Sequence, residues 1–384
     1  MKRVLTGNNS ACWGIRLSRV KMIAAYPIPT QVHIMKELSI MCKDSSLDAR
    51  FLQLESEHSA LAAVIASQTT GIRSFIACSL NSLSHMHDLL YRAAGAKLPI
   101  VMLTVNKALE SGGHIGSDQA DALIQRDTGW IQMYVENNQE VLDSVIQAYR
   151  IAEKVHLPVM ICYDALFSGH ICEPVDIPDQ DEADAFLPSY EPEFFLDPKN
   201  PKSFYSQLLP DNYMDMLYQL QTAHDKALDI IDETGKSFKK ILGRSCGVVE
   251  NIECKDAQIV LVVHGAMTCP ARHILKHMRK KGQKIGVLKI RIFRPFPVTA
   301  VQTALQGCKK VIVIDKNYSL GKGGIFADEL KSAMSAVPDA PLVYSYIAGL
   351  KEKNIALEDI REMINETISR DTPPSRSVWK GLKQ

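Results

Sequence analysis

The sequence predicts an α/β fold built on parallel sheets with helices on both faces. Three observations predict it. Short apolar runs of strand length alternate with amphipathic stretches of helical length through the first 165 residues. The same alternation starts again at Ala257 and continues to Tyr346. The composition, 46% hydrophobic and 23% charged, is that of a globular chain able to fill such a core.

Taken in order, Val20–Ala25 reads as a strand. Tyr26-Pro27-Ile28-Pro29 stops it, because the two prolines forbid a helix until after Thr30. Val32, Ile34, Met35, Leu38 and Met41 then fall on one face of a helix over 31–42. Arg50–Leu54 is a strand, and the small apolar stretch Ser59–Gln68 a closely packed helix. Buried strands follow at Ser74–Cys78 and Ile100–Val105, with a helix Ser84–Ala94 between them. Glu140–Val155 is a helix and Leu157–Tyr163 a strand. From Pro174 to Lys202 the chain is rich in Pro, Asp and Glu, which predicts an extended connection. A long helix over Tyr213–Leu242 comes next. The second unit predicts strands at 259–263, 284–290, 309–314 and 342–346, with helices at 270–281, 298–305 and 324–337. The last 30 or so residues show little apolar periodicity.

Charge and cysteine content exclude several classes. Forty-four Lys and Arg nearly cancel 43 Asp and Glu, so a net charge of +1 gives no electrostatic case for nucleic acid as partner. The longest apolar runs reach about eight residues where a membrane span needs about 20, so no span is expected. Met1–Thr6 is followed at once by Gly7-Asn8-Asn9 and predicts no secretory signal. Nine cysteines include no Cys-x-x-Cys pair, which disfavours zinc ribbons and local iron–sulfur loops and predicts reduced thiols in the cytoplasm.

Candidate sites gather where strands end. Glu55-Ser56-Glu57 joins a strand to a helix; two carboxylates there either favour the helix dipole or face a ligand. Tyr26-Pro27-Ile28-Pro29-Thr30 is a rigid turn, with Thr30 as a cap or a substrate contact. Cys78-Ser79-Leu80-Asn81 is a polar strand end. Lys107 after a buried strand either is solvated or holds a carboxylate. Asp315 to Gly324 resembles a phosphate cradle only loosely and lacks the P-loop frame; its glycines otherwise serve close packing. His85-Met86-His87 reads as helix packing, since residues two apart point away from each other on a helix. Asp118, Asp121 and Arg126-Asp127 read as a solvated loop.

Several motifs then occur together in order. Gly7-Asn8…Ala11…Gly14, Ala24-Ala25-Tyr26-Pro27-Ile28, Glu55-Ser56-Glu57, Leu98-Pro99-Ile100-Val101, Arg126-Asp127-Thr128-Gly129-Trp130 and Phe293-Arg294-Pro295-Phe296-Pro297 closely resemble the alpha subunit of 2-oxoacid:ferredoxin oxidoreductases. The resemblance runs from about residue 5 to 350. It implies a thiamine-diphosphate-binding, pyrimidine-type domain over 1–185, a linker with a long helix over 186–254, a transketolase C-terminal-like domain over 255–350 and a tail over 351–384. It implies Glu57 as the catalytic carboxylate against the cofactor's pyrimidine ring, with Pro27, Ile28 and Ser79 also lining the cofactor. It implies Thr30 and Lys107 near the substrate.

The chain also departs from the family pattern. Thr30 and Pro29 exchange places, and Lys107 stands where pyruvate enzymes carry an arginine, giving a point charge without a bidentate fork. The turn 79–81 lacks the usual glycine. These departures argue for an oxoacid other than pyruvate, an aromatic one such as phenylglyoxylate among them, with pyruvate as the alternative. The Gly-Asp-Gly…Asn motif for diphosphate and Mg2+ is missing, as are cluster-binding cysteine motifs. The resemblance therefore implies a beta subunit for the first and gamma- or delta-type subunits with [4Fe-4S] clusters for the second. Coenzyme A would be the co-substrate, and ferredoxin or an NAD-reducing subunit the acceptor. This chain itself holds no metal on that reading. The competing readings are a non-catalytic scaffold of the same fold and a thiamine-dependent decarboxylase without electron output.

Overall fold

The computed structural model describes residues 1–27, 32–79, 81–108, 118–165, 167–204, 212–244, 246–350 and 355–382. Over the first half the elements run β1 (Lys2–Leu5), α1 (Gly7–Leu17), β2 (Met22–Ala25), α2 (Val32–Lys43), β3 (Arg50–Gln53), α3 (Glu57–Thr69), β4 (Ser74–Ser79), α4 (Ser82–His85), α5 (His87–Gly95), β5 (Val101–Asn106), α6 (Ala120–Leu123), β6 (Ile131–Tyr134), α7 (Asn138–Val155) and β7 (Val159–Asp164). Then come α8 (Phe167–His170), β8 (Glu173–Asp176), α9 (Gln180–Phe186) and the long α10 (Tyr213–Leu242). The second half runs β9 (Val249–Ile252), β10 (Ile259–Val263), α11 (Thr268–Lys280), β11 (Ile285–Ile290), β12 (Ile292–Arg294), α12 (Val298–Ala304), β13 (Lys310–Asp315), α13 (Ile325–Met334), β14 (Leu342–Ile347), α14 (Leu357–Ser369) and β15 (Val378–Trp379).

Two large sheets organise these elements. The first has seven strands in the order β12-β6-β7-β5-β4-β2-β3, parallel except for β12. The second has six, β15-β14-β13-β10-β11-β9, parallel except for β9. A two-stranded ribbon pairs β1 with β8.

Side-chain alternation along the strands separates the cores. Ile23, Phe75 and Leu103 point to one face of the first sheet, under α1, α2, α7 and α10. Met22, Ala24, Ile76 and Met102 point to the other, into a core shared with Val260, Val262 and Val311 of the second sheet and with α3, α5, α12 and α13. The far face of the second sheet, Leu261, Val263 and Ile312, is covered by α11 and α14. The central core thus joins the two sheets through buried apolar surface. No helix among the described residues is long and apolar enough to cross a membrane.

Four expectations are corrected. The proline-rich stretch is not all extended: β8 and α9 lie in it, and α9 is held by a capping box from Asp179 and Glu182 with Phe186 fully buried. The C-terminal stretch holds α14, whose Ile360, Met363, Ile364 and Thr367 face the core. The helix expected over 84–94 breaks at the buried Met86 into α4 and α5. The polar stretch at 118–121 is not solvated, since Asp118 and Asp121 are buried.

Candidate functional site

In an open parallel sheet, ligands lie beyond the carboxyl ends of the strands, where neighbouring strands send their connections to opposite faces. In the first sheet that point is between β2 and β4. The chain leaving β2 enters α2, whose Ile34 and Leu38 pack on one face. The chain leaving β4 enters α4 and α5, whose Leu83 and Leu90 pack on the other. Tyr26-Pro27 end β2, and Ser79 ends β4. The start of α3 follows β3, on the far side of β2. Pro27, Ser79 and Glu57 therefore share one end of the sheet. Ile28 and Thr30 lie outside the described residues.

The two glutamates differ in environment. Ser56 caps α3, accepting from the Ser59 amide at 3.1 Å. The Ser59 hydroxyl donates to the exposed Glu55 carboxylate and holds it below the usual carboxylate range. Glu57, whose side chain is only 13% exposed, turns to the β4 connection instead. Its Oε1 lies 3.1 Å from the Ser82 hydroxyl and its Oε2 3.5 Å from His85 Nδ1. A hydroxyl has one proton. Ser82 sits closer to the Ser79 carbonyl, at 2.7 Å, so Glu57 receives the weaker branch of that contact. The Ser79 hydroxyl is itself committed, donating to Val105 O at 2.8 Å.

Lys107 follows β5, one strand further along. Its backbone, not its ammonium, is anchored: its amide donates to Asp121 Oδ2 at 3.1 Å. Asp121 Oδ1 accepts from Asn106 Nδ2 at 2.7 Å and from the Ala122 amide at 2.8 Å. Burial pushes the Asp121 carboxyl up to about 8, against these bonds. Among the described residues the Lys107 ammonium makes no ion pair or hydrogen bond, and the side chain is half-buried.

The sequence offers Asp121 only as part of a solvated loop, and nothing in its spacing of 14 residues from Lys107 shows that it anchors that backbone. Nor does the sequence show a buried ion pair, Lys316 with Asp164, which joins the two sheets. Among the described residues no three His, Cys, Asp or Glu side chains group as a metal site, and all nine cysteines are free thiols. The glycine-rich turn after β13 resolves to packing. The Asp315 carboxylate caps α13, accepting from the Phe326 and Ala327 amides, and a Cβ on Gly324 would stand 2.0 Å from its Oδ2. The protein's own carboxylate fills the anion position there.

The residues around Glu57 suit an aminopyrimidine ring. A largely buried carboxylate with one oxygen weakly engaged stands at the carboxyl end of the sheet that Pro27 and Ser79 share. Such a group can accept a hydrogen bond from, or exchange a proton with, a ring nitrogen.

Comparison with known proteins points the same way. Residues 14–236 match the family "Pyruvate flavodoxin/ferredoxin oxidoreductase, thiamine diP-bdg", and residues 257–360 match "Pyruvate:ferredoxin oxidoreductase core domain II". The pyruvate synthase subunit PorA of Methanothermobacter thermautotrophicus is 38% identical over 100% of this chain and 98% of that subunit. The ketoisovalerate oxidoreductase subunit VorA of Pyrococcus abyssi is 36% identical over 100% and 98%. Among solved structures, the 2-oxoglutarate:ferredoxin oxidoreductase of Magnetococcus marinus superposes with a TM-score of 0.76 at 18% identity, over 96% of this chain and 65% of that one. A split-gene transketolase superposes at 0.57 and 11% identity, over 95% and 98%. At such identities the two structures speak for the fold alone.

Proposed function

The chain belongs to the pyruvate flavodoxin/ferredoxin oxidoreductase family, as an alpha-type subunit of a 2-oxoacid oxidoreductase, and on that premise we propose that it forms one wall of a thiamine-diphosphate site completed by a partner chain. The complex would oxidatively decarboxylate a 2-oxoacid, pass the acyl group to coenzyme A and the electrons to ferredoxin. When bound, thiamine diphosphate supplies the electron sink for decarboxylation. Glu57 would hold a proton between its carboxylate and the pyrimidine ring, with Ser82 and His85 beside its two oxygens. Lys107 would neutralise the substrate carboxylate, on a backbone that Asp121 pins. Pro27, Ile28 and Ser79 would line the cofactor, and Thr30 the substrate. The observation that carries this reading is the placement of Glu57, rather than Glu55, against the β4 connection at the switch point.

Mg2+ and the [4Fe-4S] clusters would sit on beta, gamma and delta-type partners, because this sequence lacks the Gly-Asp-Gly motif and paired cysteines. The proposed division of the chain is 1–185, 186–254, 255–350 and 351–384, and the proposed location is the cytoplasm.

For the substrate we favour a small aliphatic 2-oxoacid, pyruvate first. The relatives are named for pyruvate and ketoisovalerate. The loop departures at Pro29, Thr30 and Lys107 argue from sequence for a bulkier acid, whereas these relatives are named for small aliphatic ones. The test is kcat/KM for pyruvate, ketoisovalerate, 2-oxoglutarate and phenylglyoxylate in the purified complex, with coenzyme A and a viologen dye. Pyruvate or ketoisovalerate should lead. A lead for phenylglyoxylate would restore the aromatic reading, and no activity on any of them would favour the scaffold.

A further inference from the structure

The second sheet has a switch point of its own, between β10 and β13. The helix after β10, α11, packs on the outer face, and the helix after β13, α13, packs on the inner one. By the rule that located the first site, this is where a ligand belongs. A cavity of about 410 Å3 opens there, in the range of small-molecule sites. His264, just after β10, and Lys316, just after β13, line it. The carboxyl end of the first sheet closes it from the other side, through Asp164 at the end of β7 and Glu136 just after β6. None of its lining residues among those described is Glu57, Lys107, Pro27 or Ser79.

The polar lining is rich in acceptors. Lys316 is matched by Asp164, and Glu136 by Arg272 and Lys289. Glu173 on the wall has no ion-pair partner among the described residues and accepts only the Asn138 amide, at 2.8 Å. Two buried side chains on the wall carry atoms without hydrogen-bond partners among the described residues: Oε1 of Gln119, 7% exposed, and both ring nitrogens of His264, 0% exposed. Buried polar atoms are rarely left so. The imidazole is stacked on Phe326 at 3.6 Å, and burial keeps it neutral, so it adds no positive charge to the cavity. The rest of the wall, including Met267, Ile171 and Leu357, is apolar apart from Cys269, whose thiol donates to Glu136.

We propose that this cavity binds a small organic cation, an ammonium on an apolar body, with Glu173 as counter-charge and Gln119 Oε1 as hydrogen-bond acceptor. Its wall is made by both sheets, so an occupant would bridge them. The proposal does not rest on the thiamine reading.

The probes are benzylamine, benzyl alcohol and benzoate, which share a ring and differ in charge. Saturation-transfer NMR on the assembled enzyme should give a benzylamine signal roughly fivefold or more above that of benzoate, with the alcohol between. Ala266→Leu, which fills the cavity, should remove the benzylamine signal. Glu173→Gln should bring it to the level of the alcohol. Glu57→Gln should leave it unchanged, which separates this proposal from the function proposed above. No benzylamine signal, equal signals from all three probes, or a signal that survives both cavity variants would overturn the proposal.

Discussion

Glu55 and Glu57 stand two residues apart and do different work. Glu55 is held by the cap of its own helix, whereas Glu57 reaches another connection. Their types are legible in the sequence and the family resemblance singles out Glu57, but that Glu57 and not Glu55 turns to the β4 connection is not written in the residues, because it depends on where the β4 turn comes to rest. Lys107 is legible as a candidate, yet the carboxylate that fixes its backbone reads in the sequence as part of a solvated loop. Polar letters carry no record of burial. If Lys107 meets the substrate carboxylate, Lys107→Ala should reduce kcat/KM by roughly 1.5–3 kcal/mol, the worth of a charged hydrogen bond. Unchanged steady-state kinetics would place the ammonium in solvent. His264 supports a pH prediction. Burial, with help from Lys316, pushes it down to about 3 from its ordinary 6.5. The unfolded chain therefore takes up a proton below pH 6.5 that the folded chain refuses, and stability is lost as pH falls. His264→Phe removes that loss. Relative to the wild type, its stability should improve by about 2 kcal/mol between pH 7.5 and pH 5, read from denaturation midpoints. Parallel pH curves for the two proteins would refute a buried neutral imidazole.

At the scale of elements, strands and long helices were readable because burial on two faces leaves continuous apolar runs and helices leave a 3.6-residue period. The long helix α10 has the bounds expected of it, Tyr213–Leu242. The misses have local causes. In α9 the apolar positions Ala183 and Phe186 sit among acids that serve as cap and first turn. In α14 the period at 360, 363, 364 and 367 ends in a threonine and spans little more than two turns. Met86 breaks a continuous helical pattern by sinking into the core. The turn before α13 shows what its glycines are for. Gly324→Ala would drive a Cβ into the Asp315 carboxylate, which two helix amides hold in place. It should cost about 1–3 kcal/mol, seen as a lower melting temperature. No loss would mean that Asp315 can leave the cap freely.

For the molecule as a whole, the sequence showed two α/β units but not how they join. The join is a shared apolar core together with a buried ion cluster. Lys289 of β11 reaches Glu136 at 2.9 Å and Glu140 of α7 at 2.8 Å, with Arg272 and Arg291 on the same carboxylates. Such long-range pairs leave no spacing to read. Lys289→Met would leave the two buried acids under-compensated and should destabilise the chain by about 3 kcal/mol. An unchanged unfolding midpoint would show that the arginines suffice. The proposed function requires the carboxyl end of the first sheet, at its switch point, to be half of a thiamine site served by Glu57. Its most direct test is Glu57→Gln in the assembled complex, measuring turnover and bound thiamine diphosphate together. The account predicts turnover lower by roughly a hundredfold or more with cofactor content retained. Near-normal turnover in that variant would contradict it.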